Sequence, residues 1–161
     1  MFHIVLFEPE IPPNTGNIMR LCANTGSRLH LIEPLGFELD DKRLRRAGLD
    51  YRDWVSVERY SGLAAFIERV HPPRLLACST RGRKIYDREQ FIDGDAFLFG
   101  PETRGLPDHV LTKLGPERCL CIPMVCDSRS INLSNAAAIV LFEAWRQHGF
   151  VGAAEPASAS S

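Results

Sequence analysis

The chain has 161 residues, 45% of them hydrophobic, and a net charge of −1. That is the length of one domain, with apolar content enough for one core, and the near-neutral charge excludes a uniformly basic nucleic-acid binder. No window reaches the roughly 18–20 consecutive apolar residues of a membrane span, and MFHIVLFEPE lacks the basic leader and small-residue cleavage site of a secretory signal, so a cytoplasmic protein with no membrane partner is expected.

Residues 2–7 (FHIVLF) are a short apolar run stopped by Glu8-Pro9, as in a buried parallel strand. Pro12-Pro13-Asn14 makes a rigid turn and starts a helix over about Thr15–Thr25, with Gly26 placed as its left-handed cap. Leu29–Ile32 is the second strand, stopped by Pro34. A short basic helix is expected over 40–47 and a strand over Trp54–Val57. Ser61 is placed to cap a helix running through Val70, with Leu63, Phe66, Ile67 and Val70 on its apolar side. Arg74–Ser79 is a strand, followed by a basic loop, Thr80–Lys84. A strand at Ala96–Phe99, a helix near His109–Leu114, a strand at Arg118–Ile122 and a long helix over about Asn132–His148 complete the order. This alternation predicts an α/β domain with a mostly parallel sheet flanked by helices. The last helix is apolar on nearly every side from Ala136 to Trp145, so it belongs in the interior or in a subunit interface. Residues 151–161 are small, polar and aperiodic and are expected to be disordered.

The five cysteines, odd in number and irregularly spaced, argue against a disulfide framework. No His lies near Cys119, Cys121 and Cys126, so no metal site is expected. Lys42, Arg43, Arg45, Arg46 and Arg52 form the one basic patch, either a solvated helix face or an RNA contact.

Three stretches carry polar groups where a strand ends or a helix begins. In the first helix Asn17, Arg20 and Asn24 share one face, with Asn14 just before it. That stripe is either the helix's solvent side or an amide–guanidinium surface for a phosphate, to which the planar arginine fork is suited. In FLFGPETRGLP a strand runs into Gly100-Pro101-Glu102, and ligands of parallel sheets bind just beyond such carboxyl ends. Gly100 would let a ligand approach its backbone closely. In CLCIPMVCDSRSINLS a strand stops at Pro123, and Ser130 and Asn132 both suit the N-terminus of the last helix. The dinucleotide fingerprint, the P-loop and the hydrolase elbow are all missing.

The stretches EPEIPPNTGNI, CANTG, DDKRLRRAGLDY, FGPETRGLP, IPM, DSRS and NLSNA resemble the SPOUT superfamily of RNA 2'-O-methyltransferases throughout residues 1–150. The branch acting on the wobble position of tRNA is the nearest. The resemblance implies a five- or six-stranded sheet with a C-terminal trefoil knot, a homodimer, and S-adenosyl-L-methionine held largely by backbone groups in the knot. Cys78, Gly100, Ile122 and Ser130 match its cofactor positions. Asn14, Arg20, Glu102 and Asn132 match its catalytic positions, Arg20 being expected to hold the neighbouring phosphate and stabilise the developing 2'-alkoxide. The implied substrate is the ribose of C34 or modified U34 in tRNA, leucine isoacceptors in particular, bound at its anticodon stem-loop by Lys42–Arg52 and Arg129. Another tRNA or rRNA position, and a non-catalytic knotted RNA-binding factor, are the alternatives.

Overall fold

The computed structural model describes residues 1–38 and 57–155. Seven strands form one sheet: β1 (His3–Phe7), β2 (Arg28–Ile32), β3 (Val57–Tyr60), β4 (Leu75–Cys78), β5 (Lys84–Ile85), β6 (Ala96–Phe99) and β7 (Cys119–Cys121). Their order is β3-β2-β1-β6-β4-β7-β5, and every pairing is parallel. Four α-helices flank them among the described residues: α1 (Pro12–Thr25), α2 (Leu63–Val70), α3 (Asp108–Leu114) and α4 (Leu133–Gln147).

The pleat sorts the strand residues into two cores. Ile4, Leu6, Phe97 and Phe99 face α1 and α4, meeting Ile18, Met19, Val140 and Leu141. Val5, Phe7, Ala96 and Leu98 face the other way, toward Phe66 of α2 and Val110 of α3. Both sheet faces are thus covered, which is why β1 and β6 read as continuous apolar runs rather than alternating ones.

Several expectations are corrected. The sheet has seven strands rather than five or six, because Lys84, read as the end of a basic loop, pairs together with Ile85 against β7. The third strand is Val57–Tyr60, set by its register against β2, and the expected Trp54–Ser56 portion lies outside the described residues. Gly62, not Ser61, stands at the N-terminus of α2. Helix α1 begins at Pro12, a residue whose missing N–H costs nothing in a first turn, so Asn14 lies inside it. The basic patch Lys42, Arg43, Arg45, Arg46 and Arg52, the expected helix 40–47 and the tail from 156 on lie outside the described residues.

One connection is unusually direct. Cys78 of β4 and Lys84 of β5 both stand opposite Leu120 of β7, so residues 79–83 cross β7 from one neighbour to the other. Ser79 N donates to the Leu120 carbonyl at 2.9 Å. A Cβ at Gly82 would lie 2.4 Å from that same oxygen, so only glycine allows the crossing this close.

Candidate active site

Strands β6, β4 and β7 are neighbours, and their carboxyl ends open onto a cavity of about 440 Å³. Asn14, Cys78, Gly100, Glu102, Ile122, Ser130 and Asn132 all line it. The backbone brings them there: Cys78 ends β4, Gly100 follows β6, and Ile122 lies one residue past β7 rather than within it.

A chain of hydrogen bonds joins the three motifs at this mouth. The Glu102 carboxylate accepts from Glu10 N at 2.8 Å, Ile11 N at 3.1 Å and Asn14 Nδ2 at 3.2 Å. Helix α1 has no side-chain cap of its own at Ile11, so this remote carboxylate takes up the donors just ahead of its positive end. Asn14 is buried, and its Oδ1 accepts from Asn132 Nδ2 at 2.9 Å. Asn132 in turn caps α4, its Oδ1 accepting from Ser134 N at 2.9 Å and Ser134 Oγ at 2.7 Å. Of the two candidate caps, Asn132 therefore does the capping, and Ser130 remains exposed on the cavity wall.

The direction of this chain is fixed. A carboxylate only accepts, so Asn14 must turn its NH₂ to Glu102 and its oxygen to Asn132. Each Asn NH₂ keeps a second hydrogen free of these bonds, which suits the pair to orienting an oxygen acceptor. Burial, reinforced by Cys119, pushes the Cys78 thiol well above its ordinary range, so Cys78 is a neutral wall and not a nucleophile.

Gly100, which lines the cavity, is also required by close backbone packing. A Cβ on it would lie 2.3 Å from Leu106 N and 2.4 Å from the Gly105 carbonyl carbon, because the loop 101–106 folds back onto it. Arg20 is exposed on α1 with Asn17 and Asn24 and does not line the cavity. Six residues along a helix turn a side chain about 120° away from Asn14. Arg129 is exposed in the loop before α4 and does not line the cavity either.

Sequence reasoning missed Arg81, Thr103 and Arg104, all of which line the cavity. Arg81, from the crossing segment 79–83, reaches the Asp108 carboxylate and the Leu106 carbonyl and so ties that segment to the loop after β6. The run Thr80–Lys84 was visible as basic, but nothing in it showed which loop it would meet. Among the described residues no group of His, Cys, Asp and Glu could hold a metal ion, and no helix is long and apolar enough to cross a membrane.

The model of the SpoU rRNA Methylase family matches residues 1–142. A protein of Saccharophagus degradans named tRNA (cytidine(34)-2'-O)-methyltransferase is 62% identical over 152 residues, which cover 94% of this chain and 99% of that protein. A solved structure described for 2-OH methylation of C/U34 on tRNA superposes with a TM-score of 0.85 at 44% identity, covering 92% of this chain and 97% of the other. The SpoU methyltransferase AviRb from Streptomyces viridochromogenes, solved in complex with AdoMet, shares the fold at a TM-score of 0.79 and 22% identity, covering 94% of this chain and 58% of its own. With the family match spanning most of the sheet and its cavity, the chain belongs to the SpoU rRNA methylase family.

Proposed function

We propose that this chain transfers a methyl group from S-adenosyl-L-methionine to the ribose 2'-OH of the wobble nucleotide, C34 or modified U34, of tRNA. The observation that carries this reading is the hydrogen-bonded run Glu102–Asn14–Asn132 at the mouth of the cavity, which joins three motifs far apart in sequence. The names of close relatives supply the substrate.

The cavity fits the cofactor in size and lining. Its volume of about 440 Å³ lies within the roughly 300–1,000 Å³ of small-molecule sites. Leu120, Ile122, Leu133 and Val140 give it an apolar wall, with Ser130, Asn132 and Thr103 as polar groups. Cys78, Gly100, Ile122 and Ser130 would hold the cofactor, which supplies a methyl group on a sulfonium. The chain's own part is orientation and exclusion of water. Asn14 and Asn132, fixed by Glu102, orient the acceptor ribose. Arg20 binds the adjacent phosphate and steadies the developing 2'-alkoxide, while the proton passes to that phosphate or to water. Lys42, Arg43, Arg45, Arg46, Arg52 and Arg129 hold anticodon-stem phosphates, with leucine isoacceptors as the first substrates to try.

Two further parts of this reading concern the assembly. The crossing of β7 by residues 79–83 supports a trefoil knot closed by the chain leading to α4. Phe142, 45% exposed on α4, supports a homodimer in which a second copy covers it. Arg20 does not line its own cavity, and in this reading it serves the cavity across that interface. The enzyme acts in the cytoplasm, where its tRNA is.

Mass spectrometry of nuclease-digested tRNA, after incubation with protein and labelled cofactor, tests the reading. A label on the ribose of residue 34 is the expected result. A label elsewhere in tRNA or in rRNA would move the enzyme to another target, and cofactor binding without transfer would leave an RNA-binding factor. Mixing Arg20→Ala with Asn14→Ala protein tests the shared site: activity should return in the mixture, and its failure to return would place Arg20 with its own cavity.

A further inference from the structure

The loop after β6 and the segment before α1 hold each other by two reciprocal sets of bonds. Glu10 gives its backbone N–H to the Glu102 carboxylate at 2.8 Å. Its own carboxylate then accepts from Thr103 N at 3.1 Å, Thr103 Oγ1 at 2.7 Å and Arg104 Nε at 3.3 Å. Arg104 Nη2 reaches on to Glu8 at 2.7 Å. Gly36 supports the same backbone from behind: its N–H donates to the Pro9 carbonyl at 2.9 Å, and a Cβ on it would lie 2.9 Å from the Glu10 Cα.

Glu10 does not line the cavity, whereas Glu102, Thr103 and Arg104 do. Thr103, Arg104 and Gly105 are exposed, so little burial orders this loop, and ordering it costs backbone entropy. The donors of Thr103, more than the charge of Arg104, hold the Glu10 carboxyl below its ordinary range. Arg104 lies between two carboxylates, so its charge is already neutralised and it is poorly placed to bind an RNA phosphate.

We propose that Glu10 is a positioning residue, and that its clasp on Thr103 and Arg104 sets the Glu102 carboxylate and through it the direction of the Asn14 amide. This rests on the methyl-transfer reading for its effect on turnover, but its structural half stands apart from it. Without the clasp, Glu102 keeps its own three bonds to the start of α1, but the exposed Thr103–Arg104 stretch beside it loses three of its four bonds to that segment and keeps Arg104 to Glu8, while Arg81 holds the far end of the loop at Leu106. A shift of about 1 Å in such a group costs on the order of 100-fold in rate.

The test uses full-length Glu10→Ala and Glu10→Gln proteins. Glu10→Ala should lower kcat by about tenfold or more, with the Kd for S-adenosyl-L-methionine within about twofold of wild type. Glu10→Gln keeps an acceptor for Thr103 and should fall between. Adding Glu10→Ala to Glu102→Gln should cost nothing further, because one acts through the other. Wild-type turnover in Glu10→Ala, or full additivity with Glu102→Gln, overturns the proposal. Exchange of the Asn14 side-chain amide protons, followed by NMR, needs no RNA. It should quicken in Glu10→Ala, and an unchanged rate overturns the clasp even if the protein methylates nothing. Absence of transfer by wild type would instead count against the function. Should Glu10→Ala not fold, Thr103→Val removes only the hydroxyl donor and is read the same way.

Discussion

A methyl group at Gly100 would lie 2.3 Å from the Leu106 nitrogen, and one at Gly105 would touch nothing within 4 Å. The two glycines in one loop are therefore constrained differently. Gly100 is fixed by space, and Gly105 by a backbone φ of +66° that L-residues adopt at a cost. Gly105→Ala should cost about 1–2 kcal/mol from the conformation alone. Gly100→Ala should cost about 1–3 kcal/mol and also displace the Glu102 loop. Urea midpoints of both variants, with cofactor titration, check this: only Gly100→Ala should weaken cofactor binding. At this scale the sequence marked the right residue for another reason. The pattern showed that Gly100 follows a strand, but the backbone that folds onto it, Gly105 and Leu106, comes from five and six residues later, through geometry no local rule supplies. Asn14 is similar. It was legible as a helix-start residue, yet its bonds go to Glu102 and Asn132, 88 and 118 residues away.

Among the elements, β2 carries a buried charge problem that the strand pattern concealed. His30 is fully buried and bonded on both sides, to His3 Nδ1 at 2.9 Å and to the Tyr60 hydroxyl at 3.1 Å. Tyr60 donates to Glu58 at 2.9 Å, so it accepts from His30 Nδ1–H, and His30 Nε2 accepts from His3. Burial, then the positive neighbours His3 and Arg28, lowers the His30 pKa to about 3. The folded protein thus refuses a proton that the unfolded chain accepts below pH 6.5. The contribution of His30 to stability is complete above that pH and falls as pH drops from 6.5 toward 3, by up to about 1.4 kcal/mol per pH unit. Urea midpoints across this window should show the slope, and His30→Asn should flatten it; an equal slope in both would assign the loss to other groups. Helix α4 is read differently by sequence and by fold. Its all-round apolar surface predicted burial in the interior or in a subunit interface, but within this chain one face alone is buried, Ala137, Val140, Leu141 and Ala144 at i, i+3, i+4 and i+7, while Phe142 is exposed. Strand β5 was not legible, because a strand of Lys84 and Ile85 alone has no periodicity and exists only through its pairing with β7.

At the scale of the whole molecule, two surfaces among the described residues bear on the proposed function: the partly exposed aromatic side of α4 and the rim of the cavity. Phe142, Trp145 and Phe150 stack edge to face at 5.7 and 5.4 Å between successive rings. Phe142→Glu should convert a dimer into a monomer in light scattering, with transfer lost and the fold retained by circular dichroism. A wild-type monomer would remove the shared-site part of the proposed function. RNA binding should weaken steeply with salt, since a chain of net charge −1 holds phosphates only through local cations. Replacing Arg129 by Gln should lower the slope of log K against log salt by about 0.7–0.9, the share of one phosphate contact. Replacing Arg104 by Gln should leave that slope unchanged, because Glu8 and Glu10 already neutralise it.

By itself the sequence determined the α/β class, nearly every long element and the three motif segments. These follow from apolar periodicity and from Gly, Pro and Asn at element ends, which act over a few residues. Only the tertiary structure decided that β7 enters between β4 and β5, that Glu102 closes the start of α1, and that Arg20 is not among the residues lining the cavity its motif accompanies. Those outcomes depend on which strand ends become neighbours, and that is set by burying both faces of one sheet at once.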